Sequence, residues 1–349
     1  MMSVEESLMR RIPLLAFGLL SLLLGFYGGL VRMGVLGWAP THIIIYHGPL
    51  MVVGFMATLI ALERYVALKS WWSISAYMFL GAGGVLLAMD LVVFGQLLWV
   101  LGAVSFTASH VWLLAKFRHH HHIMMVSASL LLLLGSIKLY TGFPLYEAAV
   151  SWTGFLVLFI MGERVEMARV GGFRFPASMG IMASTLLFIA SNLLGSSSNM
   201  LMALAMLALL ISVANYDVGL RFLTRGWGFQ RFLSTGLAMA YAWLAVGGLL
   251  WFLTGYSDPS LHSIFIGFSG TMIMTHAPVI IPSIIRTRHF YSQSLYIPLT
   301  LLQVSTASRI AGGLLPNSQL WTMSGVLTAI SIAAYMAVML YSLGVKTRR

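Results

Sequence analysis

Residues 43–64 read IIIYHGPLMVVGFMATLIALER. This is an apolar run of about 20 residues, long enough to cross a bilayer as a helix, entered by His47 and closed by the pair Glu63-Arg64. Runs of the same kind fill the chain. Of 349 residues 59% are apolar and only 8% charged, with a mean hydropathy of +0.91; a soluble domain carries about 25% charged residues. The composition therefore excludes an independent soluble enzyme and predicts an all-α fold in which lipid, not water, surrounds the helices. The absence of cysteine excludes disulfides, thiolate metal sites, iron-sulfur clusters and a Cys nucleophile. Any metal must sit on His, Met, Tyr or carboxylate.

Reading outward from 43–64, twelve transmembrane helices are predicted, over 12–31, 43–63, 73–92, 95–115, 122–140, 145–163, 177–195, 199–220, 232–254, 260–285, 294–313 and 320–343. They form one integral membrane domain over 1–349. The break between the third and fourth is the shortest, with Val93 to Gln96 as the turn. Placing the loops alternately on two sides leaves all but Arg32, Lys138 and Arg309 of the 20 Lys and Arg on one side. The positive-inside rule then predicts a multi-pass protein of the cytoplasmic membrane with both termini in the cytoplasm. The net charge of +11 is thereby explained by topology, and no nucleic-acid partner is expected. Trp38, Trp71, Trp72, Tyr140, Trp227, Tyr256 and Tyr291 lie near span ends, as interfacial anchors do.

The second span holds Gly54-Phe55 and Glu63-Arg64, and the sixth holds Gly154-Phe155 and Glu163-Arg164 at the same spacing. In the tenth, Gly267-Phe268 is followed eight residues on by His276, at the place of Glu63 after Phe55 and Glu163 after Phe155. Three pseudo-repeats of four helices are expected, over 1–116, 117–225 and 226–349.

Ionisable groups inside a bilayer are expensive and mark candidate sites. His47 and His262 each lie about one turn inside the same membrane face, and two neutral imidazoles at one depth are what axial ligation of a b-type haem requires. A structural histidine bonded to a carbonyl is the competing reading of each. His42, nearer the water, either meets a haem propionate or faces solvent, the latter being favoured. His276, in Thr275-His276-Ala277-Pro278, is a candidate second metal ligand or proton-relay group on a proline-interrupted helix, or a packing residue; His110 poses the same question. Glu63, Arg64, Glu163 and Arg164 are expected as helix-end anchors, the glutamates forming a polar ring with His276 as the alternative. Asp90, Glu147 and Asp258 are read as solvated loop carboxylates. The run His119 to His122 is read as a solvated cytoplasmic loop, with metal binding as the minority reading.

Helix number, the repeat of four and the histidines on the second and tenth spans make the chain resemble the haem-copper oxidase subunit I superfamily. The closer resemblance is to the NnrS family, carried by His47-Gly48 through Gly54-Phe55 and by His262 through Gly267 to Thr271-Met272-Ile273. That resemblance implies a polytopic membrane protein associated with haem and copper and linked to nitric oxide, with His47 and His262 as the haem ligands. The sequence departs from the oxidases in lacking a His followed by Pro-Glu on the sixth helix and a His pair on the seventh, so the three-histidine copper site has no evident source. A haem b protein of electron transfer or nitric oxide handling is thus expected, with His47 and His262 as ligands of the haem metal and copper as a further cofactor. His276, about 21 Å from His262 along one helix and so unable to share its metal, is a candidate ligand of a second site. A twelve-helix secondary transporter using His276 is the alternative, and a non-catalytic membrane anchor subunit, docking a redox partner protein or other membrane subunits, the third reading.

Overall fold

The computed structural model describes residues 13–68, 70–169, 175–285 and 291–347. Among these the chain is all-helical, with no strand. The long helices are α1 (Pro13–Arg32), α2 (His47–Leu68), α3 (Ile74–Ala88), α4 (Val92–Phe117), α5 (His120–Tyr140), α6 (Leu145–Ala168), α7 (Phe175–Leu193), α8 (Asn199–Ala214), α9 (Gly228–Thr254), α10 (Asp258–Ile285), α11 (Tyr296–Leu314) and α12 (Ser318–Thr347). Nine of the described helices are long and apolar enough to cross a membrane, or ten when α8 and the short helices Val218–Arg225, bent by 58° at the break between them, count as one span. The expected twelve is larger by α7 and α11. The apolar part of α7, Ser178–Leu193, is short, and α11 carries Gln303, Arg309 and several hydroxyl residues that lower its hydropathy. Of the basic residues used for topology, Arg10, Arg11, Lys69, Arg174, Arg286, Arg288, Arg348 and Arg349 lie outside the described residues.

Hydroxyl side chains are tolerated on these apolar helices because they bond back to their own backbone. Thr107 donates to the Ala103 carbonyl at 2.8 Å, Ser136 to Leu132 at 2.9 Å and Thr306 to Leu302 at 2.8 Å. Burial separates core from lipid-facing helices: 83% of the apolar window of α6 is buried against 22% for α1.

The chain divides into two compact units, Met1–Phe155 with Ile280–Arg288, and Leu156–Val279 with His289–Arg349. In the first, α1 packs on α2 and α3, and α3, α4 and α5 follow as consecutive neighbours. Gly28 allows this approach, since a Cβ there would stand 2.4 Å from the Ile43 carbonyl oxygen. The turn between α3 and α4 falls at Met89 to Leu91, earlier than the sequence suggests, with Asp90 in the left-handed region at φ 65°, which Asp accepts more readily than most residues. In the second unit, α7 packs on α8, α8 on α9, α9 on α10, and α11 pairs with α12.

Two helices depart from α geometry in the same way. Leu50–Ala57 within α2 and Ser263–Gly270 within α10 are π-helical, eight residues each. Each contains the Gly-Phe pair and is followed by a threonine, Thr58 or Thr271. The Thr58 hydroxyl donates to the Val53 carbonyl five residues back, at 3.1 Å. The sixth span, expected to share this motif, is α-helical throughout Leu145–Ala168.

Candidate functional site

His47 stands three residues before the start of the first π-helix, with Gly48 and Pro49 between, and His262 stands directly before the second. The His47 Nδ1 lies 2.8 Å from the Ile44 carbonyl oxygen, and the His262 Nδ1 lies 2.9 Å from that of Asp258. A carbonyl only accepts, so each ring carries its proton on Nδ1 and its lone pair on Nε2. His110 and His276 are held alike, with Nδ1 2.9 Å from the carbonyls of Phe106 and Met272. A ring locked by an Nδ1–H bond to backbone is the arrangement that presents Nε2 to a metal. The donor chemistry at His47 and His262 therefore fits an axial haem imidazole, one residue at a time. His262 also has a competitor, because its Nε2 is 3.5 Å from Nη2 of Arg309. Ligation by His262 requires that contact to open.

Arg309 is itself held firmly. It donates to both carboxylate oxygens of Asp258, from Nε at 2.8 Å and Nη2 at 2.7 Å, and its guanidinium lies 4.4 Å over the Trp321 ring. Asp258 is thus paired within the helix bundle and is not the solvated loop carboxylate expected from sequence. Glu147 is likewise paired, at 3.1 Å from the Lys138 ammonium. His42 bridges the end of α3, with Nε2 3.2 Å from the Ala88 carbonyl and Nδ1 3.1 Å from Asp90, so it does not simply face water.

A second charged group lies within the second unit. Arg164 binds Asp217 through Nε at 2.8 Å and Nη2 at 2.7 Å, and the Tyr241 hydroxyl donates to the same carboxylate at 2.6 Å. Asp217 also accepts from the Gly219 amide at 2.8 Å, capping the short helix after the break in α8. Its four contacts satisfy both oxygens, and the side chain is 1% exposed. Gly219 makes the approach of Arg164 feasible, since a Cβ there would meet Nη2 at 2.6 Å. Arg164 is therefore a buried pairing residue and not a snorkelling anchor. His276 also lies 3.4 Å from the Thr275 hydroxyl. Gln303 donates to Thr271 at 3.0 Å and accepts from the Trp243 indole at 2.6 Å.

Sequence reasoning missed Asp217 although it falls inside an expected span, where an acid in an apolar run is itself the signal. Tyr241, Gln303 and Trp243 carry no such signal, since they become polar partners only through packing. Glu63, Arg64 and Glu163 are half-buried. Of the histidine run, His121 and His122 are buried, their ring centroids 4.1 Å apart, and only His119 and His120 fit a solvated loop. Among the described residues no group of three or more His, Asp or Glu converges as a metal-binding set.

These features define an all-helical, multi-pass membrane protein with paired charges and oriented histidines on apolar helices. The chain matches the model of a domain of unknown function, DUF8744, over residues 11–343, and belongs to that family. No curated protein matches it.

Proposed function

We propose that the protein is a membrane haem protein of twelve spans with cytoplasmic termini, serving electron transfer or nitric oxide handling, with His47 and His262 as candidate axial ligands. One observation carries the reading: each histidine lies within three residues of the start of a π-helix, and each is fixed by backbone in the tautomer with the lone pair on Nε2. π-helical turns widen the backbone and recur at functional sites. The resemblance to the NnrS family supports the same residues. Bound haem would supply one-electron chemistry, and a diatomic gas would reach the iron only in place of one of the two imidazoles. The protein supplies the rings, their orientation and an apolar surrounding. Haem needs only imidazoles, whereas copper would need a larger converging donor set, so the proposal is made for haem b first. The test is the dithionite-reduced minus oxidised optical spectrum of the purified chain with metal analysis. A b-type α band is expected, lost in both His47→Ala and His262→Ala; haem surviving in both variants would overturn the ligand assignment.

A secondary transporter is the second reading, favoured by the break at Asp217 in the 58° bend, by the Arg164–Asp217–Tyr241 group there and by His276 on the proline-interrupted α10. Discontinuous helices with polar groups at the break are how such proteins build a substrate site. A colourless protein from haem-replete cells, with His276→Ala altering solute uptake and His47→Ala leaving it unchanged, would favour this reading over the first.

A further inference from the structure

A cavity of about 670 Å³ opens in the second unit where the chain enters α9 and α11, lined by Trp227, Arg231, Thr235, Tyr291, Gln293 and Tyr296 among others. It is independent of the histidines discussed above. Among the described residues its lining holds one cation and no acid. Arg164 and Arg309 each bind a carboxylate, but the exposed Arg231 guanidinium makes no ion pair with a described residue. The aromatic walls are fixed: the buried Phe232 ring lies 5.8 Å from that of Tyr291 and 5.1 Å from that of Tyr296, and Phe229 adds a contact to Tyr291 at 5.7 Å. Burial, and then the neighbouring Tyr296, hold the Tyr291 hydroxyl above its ordinary pKa, so at neutral pH it is a protonated donor. Arg231, Tyr291 and Gln293 thus bring donors to one concavity, while the Thr235 hydroxyl donates to the Arg231 carbonyl at 2.8 Å.

We propose that this cavity binds the phosphate of an anionic phospholipid headgroup. A planar guanidinium suits a phosphate, and basic pockets at helix ends recognise acidic lipid headgroups. The choice of lipid over a soluble anion rests on the apolar surface beside the cavity. Trp227 is 86% exposed, and the nearby Phe222 and Leu223 are also exposed. A free anion has no use for these side chains, whereas glycerol and acyl chains would cover them.

The test is native mass spectrometry of the full-length chain in detergent, titrated with phosphatidylglycerol and with phosphatidylcholine of the same acyl chains. Phosphatidylglycerol is expected to bind more tightly. Arg231→Gln should weaken it about tenfold, since a hydrogen bond to a charged group is worth about 1.5–3 kcal/mol and a tenfold change in affinity is about 1.4 kcal/mol. Arg231→Lys should keep part of the preference, and Arg225→Gln, outside the cavity, all of it. An unchanged preference in Arg231→Gln would overturn the proposal, as would an equal loss in Arg225→Gln, which would mean a diffuse basic surface. Displacement of phosphatidylglycerol by equimolar inorganic phosphate would overturn the lipid assignment and leave a free-phosphate site.

Discussion

At the scale of single residues, the charged groups divide by what satisfies them. Asp217 takes Arg164, Tyr241 and the Gly219 amide, so removing its charge leaves a buried guanidinium unpaired. Breaking a buried pair on one side costs about 3–5 kcal/mol. Asp217→Asn should therefore lower the thermal midpoint of the detergent-solubilised chain sharply. Tyr241→Phe removes one hydrogen bond to a charge and should cost about 1.5–3 kcal/mol, so a ranking with Tyr241→Phe below Asp217→Asn is the expected result of a thermal-shift series. The sequence displayed His47, His262 and His276 as candidates because an imidazole in an apolar run stands out. It did not display their partners, because a carbonyl one turn back becomes an acceptor for Nδ1 only once the rotamer is set by packing.

At the scale of elements, the π-helices of α2 and α10 are the features that depart from the expected α-helices. The Gly-Phe pair common to them was legible as a repeat, yet the third copy, Gly154-Phe155, lies in a regular α-helix. The Gly-Phe pair alone therefore does not dictate the wider turn; the two π-helices share in addition a threonine three residues after the phenylalanine, where the sixth span has Leu158. A π turn holds one residue more than an α turn, so deleting a single residue within Leu50–Ala57 should restore α geometry and close the widened turn that follows His47, while Thr58–Leu68 keeps about its present facing. Retained membrane expression with loss of the haem spectrum is the expected outcome. Close helix contacts give a second check at this scale. A Cβ on Gly28 would meet the Ile43 backbone oxygen at 2.4 Å, and backbone cannot rotate away as a side chain can. Gly28→Ala should destabilise by about 1–3 kcal/mol, in the range of overpacking, read as a lower thermal midpoint.

At the scale of the whole molecule, the distribution of Lys and Arg gives a topology that a chain without native cysteine makes simple to test. Single cysteines at Thr224 and Asn317 should label from opposite faces of the membrane with an impermeant maleimide, the first from the cytoplasmic side. Labelling from one common side would refute the even alternation of spans. What the sequence determined by itself is the membrane class and the approximate helix positions, because burial in lipid demands long apolar helices whatever their partners. The tertiary structure alone decided which polar residues meet. Arg164 with Asp217, Asp258 with Arg309, and Gln303 between Trp243 and Thr271 are separated by 53, 51, 60 and 32 residues. Such contacts depend on helix rotation and packing between distant segments, and helix rotation is left open by a sequence that is apolar on nearly every face.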